Sequence, residues 1–250
     1  VGAVRPGPGT LWVQLTRPRD GGPPPSPWPT DPAPVIIGGP VELIATPTPT
    51  VTAAARSWPG GTAVLIFKSG SGYRPTQVTD SAGRTWTQVI AAGVSGTTTI
   101  LYQIPAGAAL APGDTVTATV TSSNHAMVLL SLPRSGLAER ATQLASALGT
   151  GTVTVPATAA ITVVPQIAMS VASRGGGTPP YPPGGITTTA GAAWSDRVDL
   201  TPGPAAGQTI SYIYATMANL VPAAAVTWNV PAGTNTNVSA VTATFLPAAP

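Results

Sequence analysis

Between Gln77 and Ile90 the chain alternates apolar and polar positions on both sides of a turn. Val78 and Asp80 lead in, and Thr85-Trp-Thr87 leads out. Period-two alternation sends Trp86 to one face and its flanking threonines to the other, the pattern of a half-buried antiparallel strand. The turn is written in its residues. Asp80 can accept bonds from the backbone ahead of it, and Gly83 can adopt the left-handed conformation that a bulged hairpin needs. Runs of the same kind recur at 41–45, 51–55, 62–68, 76–79, 85–90, 97–104, 115–121 and 126–132, and again at 152–155, 160–164, 166–173, 209–216, 225–230 and 238–246. Turns such as Trp58-Pro-Gly-Gly61, Ser69-Gly-Ser-Gly72 and Ala111-Pro-Gly-Asp114 separate them. Short strands with this punctuation predict an all-β fold, a sandwich or barrel. The unbroken apolar run Val64-Leu-Ile-Phe67 suits a strand buried on both faces, whereas Val116-Thr-Ala-Thr-Val120 alternates and suits one open to solvent. The last run, 238–246, is expected to close the sandwich by pairing with an early strand.

Three segments break the pattern. Residues 1–34 hold a short strand-like run, Thr10-Leu-Trp-Val-Gln-Leu-Thr16, followed by eight prolines between Arg17 and Pro34. Proline removes donors and holds the backbone extended, so this segment reads as an arm and not as a core strand or helix. Trp12 and Trp28 are costly to leave in water, at about 2 kcal/mol each, so the arm is expected to dock onto a neighbouring subunit or its own domain, with Trp12, Trp28 and the neighbouring Arg17 and Arg19 as its candidate subunit contacts. Leu137, Ala141, Leu144 and Leu148 fall near one helical face with Gly149 as a stop, which predicts a helix over 137–148. The glycine- and proline-rich stretch Arg174–Gly185 predicts a long exposed loop. The organisation is therefore an arm over 1–34 and a sandwich over 35–250, with 133–138 as the border if the sandwich divides.

Composition changes the picture in one respect. Only 8% of the residues are charged, against roughly 25% in ordinary soluble domains, and the chain holds 28 glycines and 30 prolines. A surface built of Thr, Ser, Ala and Pro resists aggregation poorly by itself, which points to coverage by partner chains or to edges blocked by proline and bulges. The formal charge of +3 comes from scattered single residues. Nucleic-acid binding would need clustered Arg and Lys with interleaved aromatics, so no nucleic acid is expected. No apolar run reaches bilayer length as a helix, and no membrane partner is expected.

Residues able to do chemistry are sparse. With no cysteine and the single histidine His125, a metal site with three or four convergent His or Cys ligands cannot be assembled. No Gly-x-Ser-x-Gly elbow accompanies His125, which reads as a turn or edge residue. Asp196 and Asp199, three apart, would point to opposite faces of a strand, unlike a glycosidase pair. Asp80 and Asp114 are accounted for by turn chemistry. The glycine-rich stretch lacks the lysine and following helix of a phosphate loop. No enzyme activity and no cofactor are expected. The strand aromatics read as core, whereas Tyr73 and Tyr181, in Gly- and Pro-rich loops, are the candidate exposed contacts.

The buried run Val64–Phe67, the hairpin Val78–Trp86, the strand Thr99-Ile-Leu-Tyr102 and the turn-strand Gly113-Asp-Thr-Val116 together resemble jelly-roll domains of virion proteins from actinobacterial phages. The resemblance covers about 45–135 and extends further by strand count only. It implies a jelly-roll-like antiparallel β-sandwich acting as a structural, oligomeric part of a virion, either a capsid decoration or a minor tail protein. Its implied partners are major capsid or tail proteins and, at exposed loops, a host-surface glycan; it carries over no catalytic residue. A secreted carbohydrate-binding module is the alternative.

Overall fold

A computed structural model describes residues 33–250 except 44–46, 71–72, 95, 122–123, 147–151, 176–186, 189–193, 196, 201–208, 230–236 and 249–250. The described residues contain sixteen strands and no helix. The first eight are β1 (Val35–Leu43), β2 (Thr50–Thr52), β3 (Thr62–Ser69), β4 (Gln77–Asp80), β5 (Thr87–Val94), β6 (Thr97–Gln103), β7 (Thr115–Thr119) and β8 (His125–Leu132). The second eight are β9 (Ser135–Ser146), β10 (Thr152–Val155), β11 (Gln166–Gly175), β12 (Thr187–Thr188), β13 (Val198–Leu200), β14 (Thr209–Met217), β15 (Val226–Asn229) and β16 (Asn237–Pro247).

Strand order reveals an internal repeat. The first eight strands make a five-stranded sheet, β1-β8-β3-β6-β5, and a three-stranded one, β2-β7-β4. Adding eight to each label reproduces the second half: β9-β16-β11-β14-β13 and β10-β15-β12. Every described pairing is antiparallel. In each repeat the first and last strands are neighbours and the chain shuttles between two sheets, which is the connectivity of an eight-stranded jelly roll. In the first repeat, the segment joining β4 to β5 bridges back at Thr79↔Thr85 before crossing to the larger sheet. The repeats meet at the two-residue turn Pro133-Arg134, within the 133–138 stretch singled out in the sequence.

Packing explains why the five-stranded sheets read as apolar runs. Leu65, Phe67, Ile100 and Met127 face the first small sheet, packing on Val51, Val78 and Val116. Their neighbours Val64, Ile66, Leu101 and Val128 face the other way, against Met169, Val171, Val241 and Phe245 of the second large sheet. Behind that sheet, Ala172, Ile213 and Ala240 pack on Val153, Val226 and Trp228 of the second small sheet. The four layers thus hold 3, 5, 5 and 3 strands, and the central core belongs to both repeats. Strand β5 lies against β9 and β16, and β6 against β16 and β11.

The small sheets show the alternation expected of one-sided strands. Val116, Ala118 and Val120 are buried while Thr115, Thr117 and Thr119 reach solvent. The Gln77–Ile90 hairpin forms as its residues dictate. Asp80 Oδ1 accepts from the N–H groups of Ala82 and Arg84, both at 3.1 Å, and Gly83 has φ +75°. Trp86 is 3% exposed between exposed Thr85 and Thr87.

Four sequence expectations are corrected. Residues 137–146 are strand and not helix, and 147–148 lie outside the described residues: β9 pairs with β16 from Ser135 to Ser146, with a register shift beside Glu139. Ladder bonds and a shared sheet outweigh a helix propensity of a few tenths of a kcal/mol per residue. His125 is neither turn nor edge; it is fully buried at the start of β8, between β1 and β3. Residues 160–164 are not a strand, because Pro165 lacks a donor and the N–H of Thr162 goes to the Glu139 carboxylate at 2.9 Å. The closing strand β16 pairs with β11 and β9 of its own repeat, not with a strand of the first half.

Candidate interaction surfaces

Asp80, Asp114, Glu139 and Asp199 are all engaged within the fold. Asp80, whose side chain is fully buried, accepts from Arg84 Nε at 2.8 Å and Trp86 Nε1 at 3.1 Å, so one acid ties the turn to the core. Asp114 accepts from the Ala111 N–H at 2.8 Å and closes its own turn. Asp199 accepts from Ser211 Oγ at 2.5 Å and Arg197 Nε at 2.9 Å, whereas Asp196 lies outside the described residues. Glu139 accepts from the Thr162 hydroxyl at 2.5 Å and from Gln166 Nε2, which pins the 156–165 loop to β9. Burial alone would raise the Glu139 pKa; the bonds from Gln166 and Thr162 and the charge of Arg140 outweigh it and hold the carboxyl below its usual range.

His125 packs its ring against Phe67, with centroids 5.2 Å apart. Burial pushes its pKa down. The Thr121 backbone pulls the other way, and the charge of Lys68 adds to the depression. Among the described residues no three His, Asp or Glu side chains converge as metal ligands.

A buried hydroxyl knot fastens the two repeats. The Thr99 hydroxyl of β6 lies 2.5 Å from Ser173 Oγ of β11 and 2.6 Å from Ser239 Oγ of β16, and 3.0 Å from the Ser239 carbonyl oxygen, which can accept from it. At another point Gln103 bridges the junction: its amide donates to the Gly136 carbonyl at 2.7 Å, and its oxygen accepts from the Ala138 N–H at 2.9 Å. Satisfied hydroxyls and amides fix register between sheets that apolar contact alone would leave free to slide.

Two of the outward surfaces among the described residues lie on the small sheets and at the junction of the repeats. The small sheets carry matching threonine pairs, Thr50–Thr117 and Thr154–Thr227, each with hydroxyls 2.9 Å apart. These β-branched, neutral side chains stiffen the outer strands. The second surface lies where the repeats join. A cleft of about 470 Å³ runs between β5 and β9, lined by Gln88, Val89, Ile104, Leu137 and Arg140 among others. A second cavity of about 340 Å³, lined by Gly61, Pro105, Gly136, Leu246 and Pro247, shares Leu137 with it. Leu137 is 48% exposed, and Trp58, in the turn whose glycines line the second cavity, is 49% exposed.

The contacts read from sequence divide by position. Trp12, Arg17, Arg19, Trp28 and Tyr181 lie outside the described residues. Tyr73 is exposed, at 42%. Trp86, Trp228, Tyr102 and Tyr212 are core residues. Sequence reasoning missed Trp58 and Leu137. For Trp58 the signal was present, since Trp58-Pro-Gly-Gly61 is a turn and turns lie at the surface; for Leu137 the helical spacing was misleading.

No family model, curated protein or solved structure matches the chain.

Proposed function

We propose that this chain is a non-enzymatic structural part of a bacteriophage virion, decorating the capsid or the tail through its arm and the edges of its sheets. The observation that carries the reading is where the molecule spends its polar groups. Asp80, Asp114, Glu139 and Asp199 close turns, pin loops or brace strands, and buried hydroxyls join the two repeats. The low charge of the chain, 8%, suits a surface covered by neighbours, and attachment at each site would need a standard interface of roughly 1,600 Å². The carbohydrate-binding alternative needs an exposed strip of aromatics. Among the described residues Trp58 and Tyr73 are the large aromatic side chains most open to solvent.

Deleting residues 1–34 tests the reading. Particles assembled with the truncated chain should lack it while still carrying their other coat proteins. Unchanged incorporation, or retained binding of the truncated chain to a polysaccharide panel, would refute it.

A further inference from the structure

We propose that the second repeat holds a binding site for a small uncharged aromatic molecule, in the place that the first repeat plugs with the side chain of Leu110. The site stands apart from the arm and from the virion reading, and it follows from a difference between the two repeats.

Both repeats fasten the same pair of connections in the same way. Leu110, between β6 and β7, donates its N–H to Ser57 Oγ at 2.9 Å, and its carbonyl accepts from the Ser57 N–H at 3.0 Å. Adding eight to each strand label leads to the connection between β14 and β15, where Ala223 donates to Thr158 Oγ1 at 3.0 Å and accepts from the Thr158 N–H at 3.1 Å. Ala223 therefore holds the position of Leu110. In the first repeat that leucine is buried in one interior cluster with Leu65, Tyr102 and Ile104. In the second, a methyl group stands in place of an isobutyl group. The floor is bare as well: Ala168 lies opposite Ala215, whereas the inward pairs of β3 and β6 are Leu65 opposite Tyr102 and Phe67 opposite Ile100.

The small side chains leave a cavity of about 230 Å³, walled by Ala168, Trp194, Ala215, Met217 and Ala223. An apolar cavity of about 150 Å³ stays dry and admits benzene, so this one has room for a benzene ring with a short substituent. Its chemistry narrows the guest. No charged side chain lines it, so a carboxylate or ammonium would lose its water with nothing to offset the loss. Trp194, partly buried against both of the outer clusters of the second repeat, offers an indole ring, and Met217 offers a thioether. Both groups favour an aromatic partner. The entrance is at the surface, where Asn219 and Val221 on the rim are exposed. A bound ring would complete this interior as Leu110 completes the first.

Toluene is the probe, titrated into the full chain by isothermal titration calorimetry, with benzoate as the charged comparison. The unaltered chain should bind toluene saturably at a single site, and benzoate about tenfold more weakly or worse. A223L restores the plug, so it should weaken toluene binding about tenfold or more while its Tm holds level or rises. A215V raises the floor and should weaken binding in the same direction, which keeps the test decisive if A223L does not fold. No saturable toluene binding by the unaltered chain would overturn the proposal. So would toluene binding that the folded variants leave unchanged, which would put the probe in another cavity, or benzoate binding as tightly as toluene. None of these outcomes bears on the arm-deletion test, so the two readings fail separately.

Discussion

Phe245 tests the claim that the two repeats fold as one body. Its ring is fully buried in the central core, on β16, packed among side chains of both five-stranded sheets. Truncation to alanine removes most of that contact and leaves a cavity between layers that hydroxyl and amide bonds hold in register. Phe-to-Ala changes in such cores cost about 3–5 kcal/mol. For a unit of this size each kcal/mol lowers Tm by roughly 2–4 °C, so F245A should lose on the order of 6–20 °C. Because the core is shared, differential scanning calorimetry should show a single transition in both proteins, moved as a whole in the variant, with calorimetric and van't Hoff enthalpies in agreement. Two resolved transitions, with only one of them shifted, would refute the reasoning and make the repeats independent.

Other outcomes follow from single groups. D80A should lower stability by about 2–4 kcal/mol in urea unfolding, since it strands the Trp86 and Arg84 donors and two backbone N–H groups around a buried position. T99V should cost about 1–3 kcal/mol, and combining it with S173A and S239A should recover part of that loss, because unmet partners are dearer than absent ones. His125 has a folded pKa below its ordinary 6.5, so the unfolded chain binds the extra proton first; stability should fall as pH drops below about 6.5, and H125L should flatten that slope. Burial raises Tyr102 from 10.0 to about 12, so the folded state keeps its proton longer; stability should decline as pH rises from 10 through about 12, more steeply than in Y102F.

How much of this was written in the sequence depends on range. Local chemistry was legible: the Asp80–Gly83 turn, the alternation of Val116–Val120 and the doubly buried Val64–Phe67 depend on neighbours along the chain, and period-two patterning reports them directly. Whatever depends on a distant partner was not. Leu137, Ala141 and Leu144 have helical spacing, yet the ladder to β16, about a hundred residues away, decides their conformation and leaves Leu137 and Leu144 in solvent. His125 looked peripheral because it follows a polar stretch, but β1 and β3 enclose it from both sides. The internal repeat is read from strand order, which joins segments far apart along the chain. The cleft between β5 and β9 could not be read either, because it exists only where a strand of one repeat meets a strand of the other.

The most direct test of the structural role is mass spectrometry of purified phage particles from a lysate that expresses this chain. The account predicts that the chain co-purifies with the major coat proteins through density gradient and salt wash, at a fixed copy number per particle. Particles complete in their coat proteins but lacking this chain, with all of it recovered free in the supernatant, would contradict it.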